Sequence, residues 1–101
     1  MWMIVLFDLP VVDPIERKEA TCFRNFLMDE GFSMSQYSVY MRLVSGKEAA
    51  EQYAKRIKME LPQRGKVDII NITDKQYENI ISYESGTKSK QKGENKQYIL
   101  L

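Results

Sequence analysis

The run Met1–Phe7, "MWMIVLF", restricts the fold more than any other part of the chain. It is apolar at every position, as a central strand covered on both faces must be. Asp8-Leu9-Pro10 ends it, because proline removes a backbone donor and forces the chain to turn. A lone carboxylate therefore stands at the end of a buried strand. It is either a turn residue bonded to nearby backbone donors or a metal-binding or catalytic acid.

The rest of the chain must cover that strand. Asp13-Pro14 predicts an N-cap followed by proline in the first helical turn. Ile15, Cys22, Phe23, Phe26 and Leu27 are read as one apolar helical stripe, and Gly31 stops the helix. From Phe32 to Val44 the period changes to two, with Tyr37, Val39, Met41 and Leu43 on one side and Gln36, Ser38, Tyr40 and Arg42 on the other. Ser35-Gln36 is expected to divide this stretch into a hairpin. Ser45-Gly46-Lys47-Glu48 reads as a capping box that opens a second helix, with Ala49, Ala50, Tyr53, Ile57 and Leu61 on its apolar side. A strand over Val67–Ile72, a helical turn opened by Thr73-Asp74-Lys75-Gln76 and a short strand over Ile80–Tyr83 follow.

The order strand, helix, strand, strand, helix, strand is the split βαβ pattern of an α+β, ferredoxin-like fold: an antiparallel sheet with two helices on one face. With 101 residues there is one domain, expected over residues 1–83. Residues 84–97, "ESGTKSKQKGENKQ", hold no large apolar side chain and read as a solvated, flexible linker. Tyr98-Ile99-Leu100-Leu101 after it reads as an extra C-terminal strand. Two helices cover only one face of a sheet whose strands are apolar on both. A homodimer stacking two such sheets would bury the second face, and the tail strand is suited to a partner subunit's sheet edge.

Composition narrows the chemistry. With no histidine, the chain lacks Ser-His and Cys-His nucleophile pairs and most zinc and iron sites. One cysteine, Cys22, excludes an internal disulfide and is read as part of the helical stripe. A metal would be hard and oxygen-bound, magnesium or manganese. The net charge is only +1, so contact with phosphate needs a local basic patch. No apolar run is long enough for a membrane span or a secretory signal, and a cytoplasmic protein without membrane contact is expected.

Several segments together carry a resemblance. "FDLP" at Phe7–Pro10, Asp13-Pro14 with Arg17 after it, "EGFSMSQYSVYMR" at Glu30–Arg42 and "TDKQYENI" at Thr73–Ile80 are similar to one family. It is the small CRISPR-associated protein of spacer acquisition, the second Cas protein, in the form found in type II systems. The resemblance covers most of residues 1–83. It implies a ferredoxin-like homodimer in which each final strand crosses to the other protomer. It implies that Asp8 matches the family's aspartate at the end of the first strand, facing its twin across the dimer axis with a magnesium ion assigned to the pair. It further implies either metal-dependent nuclease activity on RNA or DNA, or a bridging role between CRISPR integrase dimers, against double-stranded spacer DNA.

Asp8 is thus the candidate metal-binding and catalytic residue. Two carboxylates meeting on a two-fold axis repel unless a proton or a cation lies between them, and magnesium resolves that conflict. No other acid is read as having a comparable position. Arg17, Thr21 and Arg24 share a helix face bordered by Lys18, and Arg17, Lys18, Arg24 and Arg42 are the candidate nucleic-acid contacts. A solvated helix face with local acidic partners is the alternative. Tyr37, Tyr40, Tyr98, Ile99 and Leu100 are the candidate dimer contacts. Phe7 and Phe32 are read as core residues ahead of base-stacking ones. The expected function is that of an adaptation subunit, a homodimer bridging the integrase and holding the spacer duplex. The alternative is a magnesium-dependent endonuclease acting on RNA or DNA.

Overall fold

The computed structural model describes residues 1–85 and, as backbone, the strand at residues 98–100. From residue 86 on, the expected linker lies outside the described residues. So do Leu101 and the side chains of Tyr98, Ile99 and Leu100.

The elements in chain order are β1 (Trp2–Asp8), α1 (Pro14–Asp29), β2 (Ser33–Gln36), β3 (Val39–Leu43), α2 (Lys47–Met59), β4 (Lys66–Ile72), α3 (Asp74–Glu78), β5 (Ser82–Glu84) and β6 (Tyr98–Leu100). The first four strands form one antiparallel sheet in the order β2-β3-β1-β4, so the apolar opening run is indeed central. The architecture is the expected ferredoxin-like α+β fold with an extra C-terminal strand. In the single chain, β6 pairs with β5 in parallel, apart from the main sheet.

Local chemistry explains the helix ends. Asp13 caps α1, its carboxylate accepting from Glu16 N at 2.8 Å while the Glu16 side chain accepts from the Asp13 and Val12 amides. At the other end Gly31 adopts φ +92°, Phe32 N donates to Leu27 O at 2.9 Å, and Gly31 N donates to Met28 O at 3.0 Å. This is a Schellman motif, and the buried pair Phe32 and Leu27 supplies its apolar contact. Thr73 and Gln76 form the expected box at α3. The box expected at α2 does not form. That helix starts one residue late, with Gly46 as its cap, which puts Glu48 a position short of the reciprocal bond.

One core lies between the sheet and two helices. Met3, Val5 and Phe7 of β1 pack with Phe23 and Leu27 of α1, Ala50 and Ile57 of α2, and Tyr40 of β3. The helical stripes differ from expectation at three positions. Ala20, Phe23 and Leu27 define the buried side of α1, whereas Cys22 and Ile15 are exposed. Cys22 is one residue from Phe23, a rotation of about 100° around the helix, and this turns it out of the stripe. Leu61 is exposed because α2 ends at Met59.

The hairpin also turns later than expected. β2 continues through Gln36, and the chain reverses at Tyr37-Ser38, where Ser38 takes φ 71°. The register slips between Met34 and Gln36, and Ser38 O accepts from Phe7 N at 3.0 Å. Tyr37 therefore belongs to a turn beside the end of β1.

Candidate functional site

Register decides what surrounds Asp8. Met3, Val5 and Phe7 face the helices, so Trp2, Ile4, Leu6 and Asp8 face the other way. Their cross-strand partners share that open face: Leu43, Met41 and Val39 from β3, and Ile72, Ile70, Asp68 and Lys66 from β4. Among the described residues, neither α1 nor α2 packs on it. Leu43 is 53% exposed and Ile70 46%. At one end, α3 folds over the sheet, stacking Tyr77 on Trp2 at 4.1 Å and 13°. The Met1 ammonium holds that end by an ion pair to Asp74 at 2.7 Å. A hollow of about 630 Å³ lies there, lined in part by Trp2, Met41, Leu43 and Tyr77, far from Asp8 along β1.

Asp8 occupies the opposite end of the same face. It is exposed, and its carboxylate has no hydrogen bond or ion pair with any described residue. The turn role, which needs backbone donors on the carboxylate, is not the one seen. What fixes its backbone is Gly65, which runs so close that a Cβ there would lie 2.7 Å from Asp8 O, and whose φ of +104° suits glycine. Asp8 pairs with Lys66 across β4, and Asp68 is its diagonal neighbour on the same face. Lys66 Nζ lies 3.6 Å from Asp68 Oδ2. Leu6, Phe7, Asp8, Lys66 and Asp68 line a hollow of about 180 Å³. Asp8 is thus not the only acid in such a position, and Asp68 is the residue that sequence reasoning missed. The alternation of Lys66, Asp68, Ile70 and Ile72 in β4 was the available signal. The register that sets it beside Asp8 was not.

The described residues hold no group of three or more potential metal-ligating acids or cysteines. Among the described residues, Asp8 and Asp68 are the acids that line the hollow at this end of the face, with Asp68 engaged by Lys66.

The candidate basic residues do not form one patch. Arg17 is exposed and donates from Nη1 to Val12 O at 2.8 Å and to Val11 O at 3.3 Å, bracing the β1–α1 loop. Lys18 is exposed. Arg24 lies over the Tyr37 ring, 5.5 Å from its centroid. Arg42 is engaged inside the fold: it donates from Nη1 to Glu30 O at 2.6 Å and from Nε to Leu43 O at 2.9 Å, with its guanidinium 4.4 Å from the Tyr53 ring centroid. Arg56 covers the same ring at 4.6 Å and pairs with Glu30 at 2.8 Å. Arg42 thus caps the α1 C-terminus, where cations are favoured.

Among the tyrosines, Tyr40 requires a correction. It is 2% exposed, stacked on Phe7 inside the chain's own core, and has no surface to offer a partner. Tyr37 is 72% exposed at the turn. Phe7 and Phe32 are core residues, in edge contact with Phe23 and Tyr53.

Comparison with known proteins gives a family. The family profile of CRISPR associated protein Cas2 matches residues 1–80. A protein named CRISPR-associated endoribonuclease Cas2 from Paracidovorax avenae is 48% identical over 87% of this chain and 82% of its own length. Its namesake from Flavobacterium psychrophilum is 48% identical over 76% of this chain and 67% of its own. The one from Ligilactobacillus salivarius is 45% identical, covering 90% of this chain and 89% of itself. An extended match to the profile, together with relatives this similar over most of their length, shows that the chain belongs to the CRISPR-associated Cas2 family.

Proposed function

We propose that this chain is a homodimeric subunit of CRISPR spacer acquisition, bridging the CRISPR integrase and holding double-stranded spacer DNA in the cytoplasm. The observation that carries the dimer is the uncovered apolar face, with Ile4, Leu6, Leu43, Ile70 and Ile72 on one side of the sheet. Sheets stacked through it would bury what the helices leave in water. The β5–β6 pair supports the same reading. A two-stranded parallel pair standing apart from the main sheet has little of its own to hold it, and addition to a partner's sheet edge would complete it. Tyr98, Ile99 and Leu100 are the residues assigned to that edge. Arg17, Lys18 and Arg24 on α1 are the assigned duplex contacts, with Arg42 acting through the position of the α1 end.

The unpartnered carboxylate of Asp8 favours a second reading, a magnesium- or manganese-dependent endonuclease acting on RNA or DNA. The relatives' name, endoribonuclease, points the same way. In this reading Asp8 of each copy would hold the metal, which would supply Lewis-acid polarisation of a phosphodiester. Integration in vitro, with the cognate integrase, a short duplex and a CRISPR repeat target, separates the two. The bridging role predicts full integration by Asp8→Ala. Loss of integration by a variant that stays dimeric and binds the integrase would instead place Asp8 in the reaction.

A further inference from the structure

We infer that Arg64, aimed by Glu16, is a phosphate contact for the bound duplex, extending the nucleic-acid surface from α1 onto the turn between α2 and β4. The inference rests on the duplex reading above and adds to it a residue and the side chain that supports it.

The turn at residues 60–65 is fastened at three consecutive residues to the corner where β1 passes into α1. Gln63 N donates to Glu19 Oε1 at 3.3 Å. Arg64 Nη1 donates to Glu16 Oε2 at 3.3 Å, across 48 residues of sequence. Gly65, at φ +104°, runs so close that a Cβ there would lie 2.7 Å from Asp8 O and 2.8 Å from Leu9 Cδ2. Pro62 and Arg64 close a seam with Leu9, Pro10 and Ala20. Connecting segments are ordinarily the looser parts of a surface, and this one is pinned along its length.

What the pinning presents to solvent is a cation. The Glu16 side chain is 12% exposed and that of Arg64 77%. Glu16 is itself committed on both oxygens: Oε1 accepts from the Val12 and Asp13 amides, and Oε2 from Arg64. An ion pair with one partner this exposed adds little to stability, so folding alone does not account for it. Arg17 is tied to the same corner, donating from Nη1 to Val11 O and Val12 O. Two guanidinium groups thus converge on one loop, one through its carbonyls and the other through the carboxylate that holds its amides. The next cation of the turn, Lys66, goes elsewhere, to Asp68 on the open face.

A guanidinium carries five N–H donors in a rigid plane, and the contact to Glu16 engages Nη1. The donors left over suit the paired oxygens of a backbone phosphate. A side chain already held loses less rotamer freedom on binding than a loose one. Such a contact positions the duplex without reading its sequence.

The test titrates the full chain against a short fluorescein-labelled duplex of random sequence, by anisotropy over a range of salt concentrations. Circular dichroism and sedimentation velocity follow the fold and the oligomeric state. Arg64→Ala should weaken binding roughly tenfold at low salt. It should also reduce the slope of log affinity against log salt by about one, the signature of one lost phosphate contact. Arg64→Lys should keep the slope and recover part of the affinity. Lys55→Ala, which removes an exposed cation from α2, should change affinity by no more than about twofold. Glu16→Gln still accepts from the loop amides but gives up the charge that holds Arg64. It should weaken binding, whereas removing a negative charge beside a phosphate would by itself tighten it. Wild-type affinity and slope in Arg64→Ala would overturn the inference and leave the duplex reading standing. Equal losses in Arg64→Ala and Lys55→Ala would also overturn it, by reducing the effect to bulk charge. So would tighter binding by Glu16→Gln, or a loss in Arg64→Ala that tracks unfolding and that Arg64→Lys does not relieve. Failure of the wild-type chain to bind the duplex at any salt concentration would overturn the duplex reading itself.

Discussion

The two faces of the sheet are built from the same strands and reach opposite outcomes. On the helix side, Met3, Val5, Phe7 and Tyr40 are sealed by α1 and α2 within one chain. On the other side, Ile4, Leu6, Ile70 and Leu43 have comparable apolar character, and among the described residues the cover there is the Trp2–Tyr77 stack at one end. The difference shows that α1 and α2 complete one face within the chain, while the other face leaves Leu43 and Ile70 about half exposed, the surface that the proposed dimer would bury. Asp8 lies on the incomplete face, so whatever closes that face determines what surrounds the carboxylate.

The largest expected effect belongs to the sealed side. Phe23→Ala should cost about 3–5 kcal/mol in urea unfolding, with a loss independent of protein concentration, since the ring packs wholly within the chain. A much smaller loss would mean that the helix face is less decisive than its burial implies. Ile70→Glu probes the open face. It should raise the dimer dissociation constant at least tenfold, about 1.4 kcal/mol, in sedimentation equilibrium, while circular dichroism of the single chain stays unchanged. A variant that dimerises like the wild type would remove this face as the interface. The smallest effect is expected from Asp8→Asn. Its carboxylate has no described partner, so single-chain stability should shift by no more than about 0.5 kcal/mol. A larger loss would reveal a structural role and erase the contrast between the faces.

What the sequence made legible was local. The unbroken opening run placed β1 at the sheet centre, and Asp13-Pro14, Gly31 and Thr73–Gln76 marked helix ends that form as read. Signals failed where distant residues decide. Tyr37-Ser38 carries no turn residue of the usual kind, so the reversal was placed two residues early. Tyr40 and Arg42 were correctly put on one side of β3, but only α1 and α2 show that this side is the core and that Arg42 is engaged at the α1 end. The nearness of Asp68 to Asp8 depends on β1–β4 register, which alternation alone does not supply.

The contact between Arg42 and the carbonyl of Glu30 has a consequence for assembly of the hairpin. If β3 slid by one residue against β1, Arg42 would swing to the open face, Tyr40 would leave Phe7 for solvent, and the last carbonyls of α1 would lose their cation. The end of the helix thus acts as a proofreader, accepting one alignment of the hairpin and penalising its neighbours. Because Ser38 O of the same hairpin bonds Phe7 N, an error rejected at Glu30 is one that never reaches the end of β1 that carries Asp8.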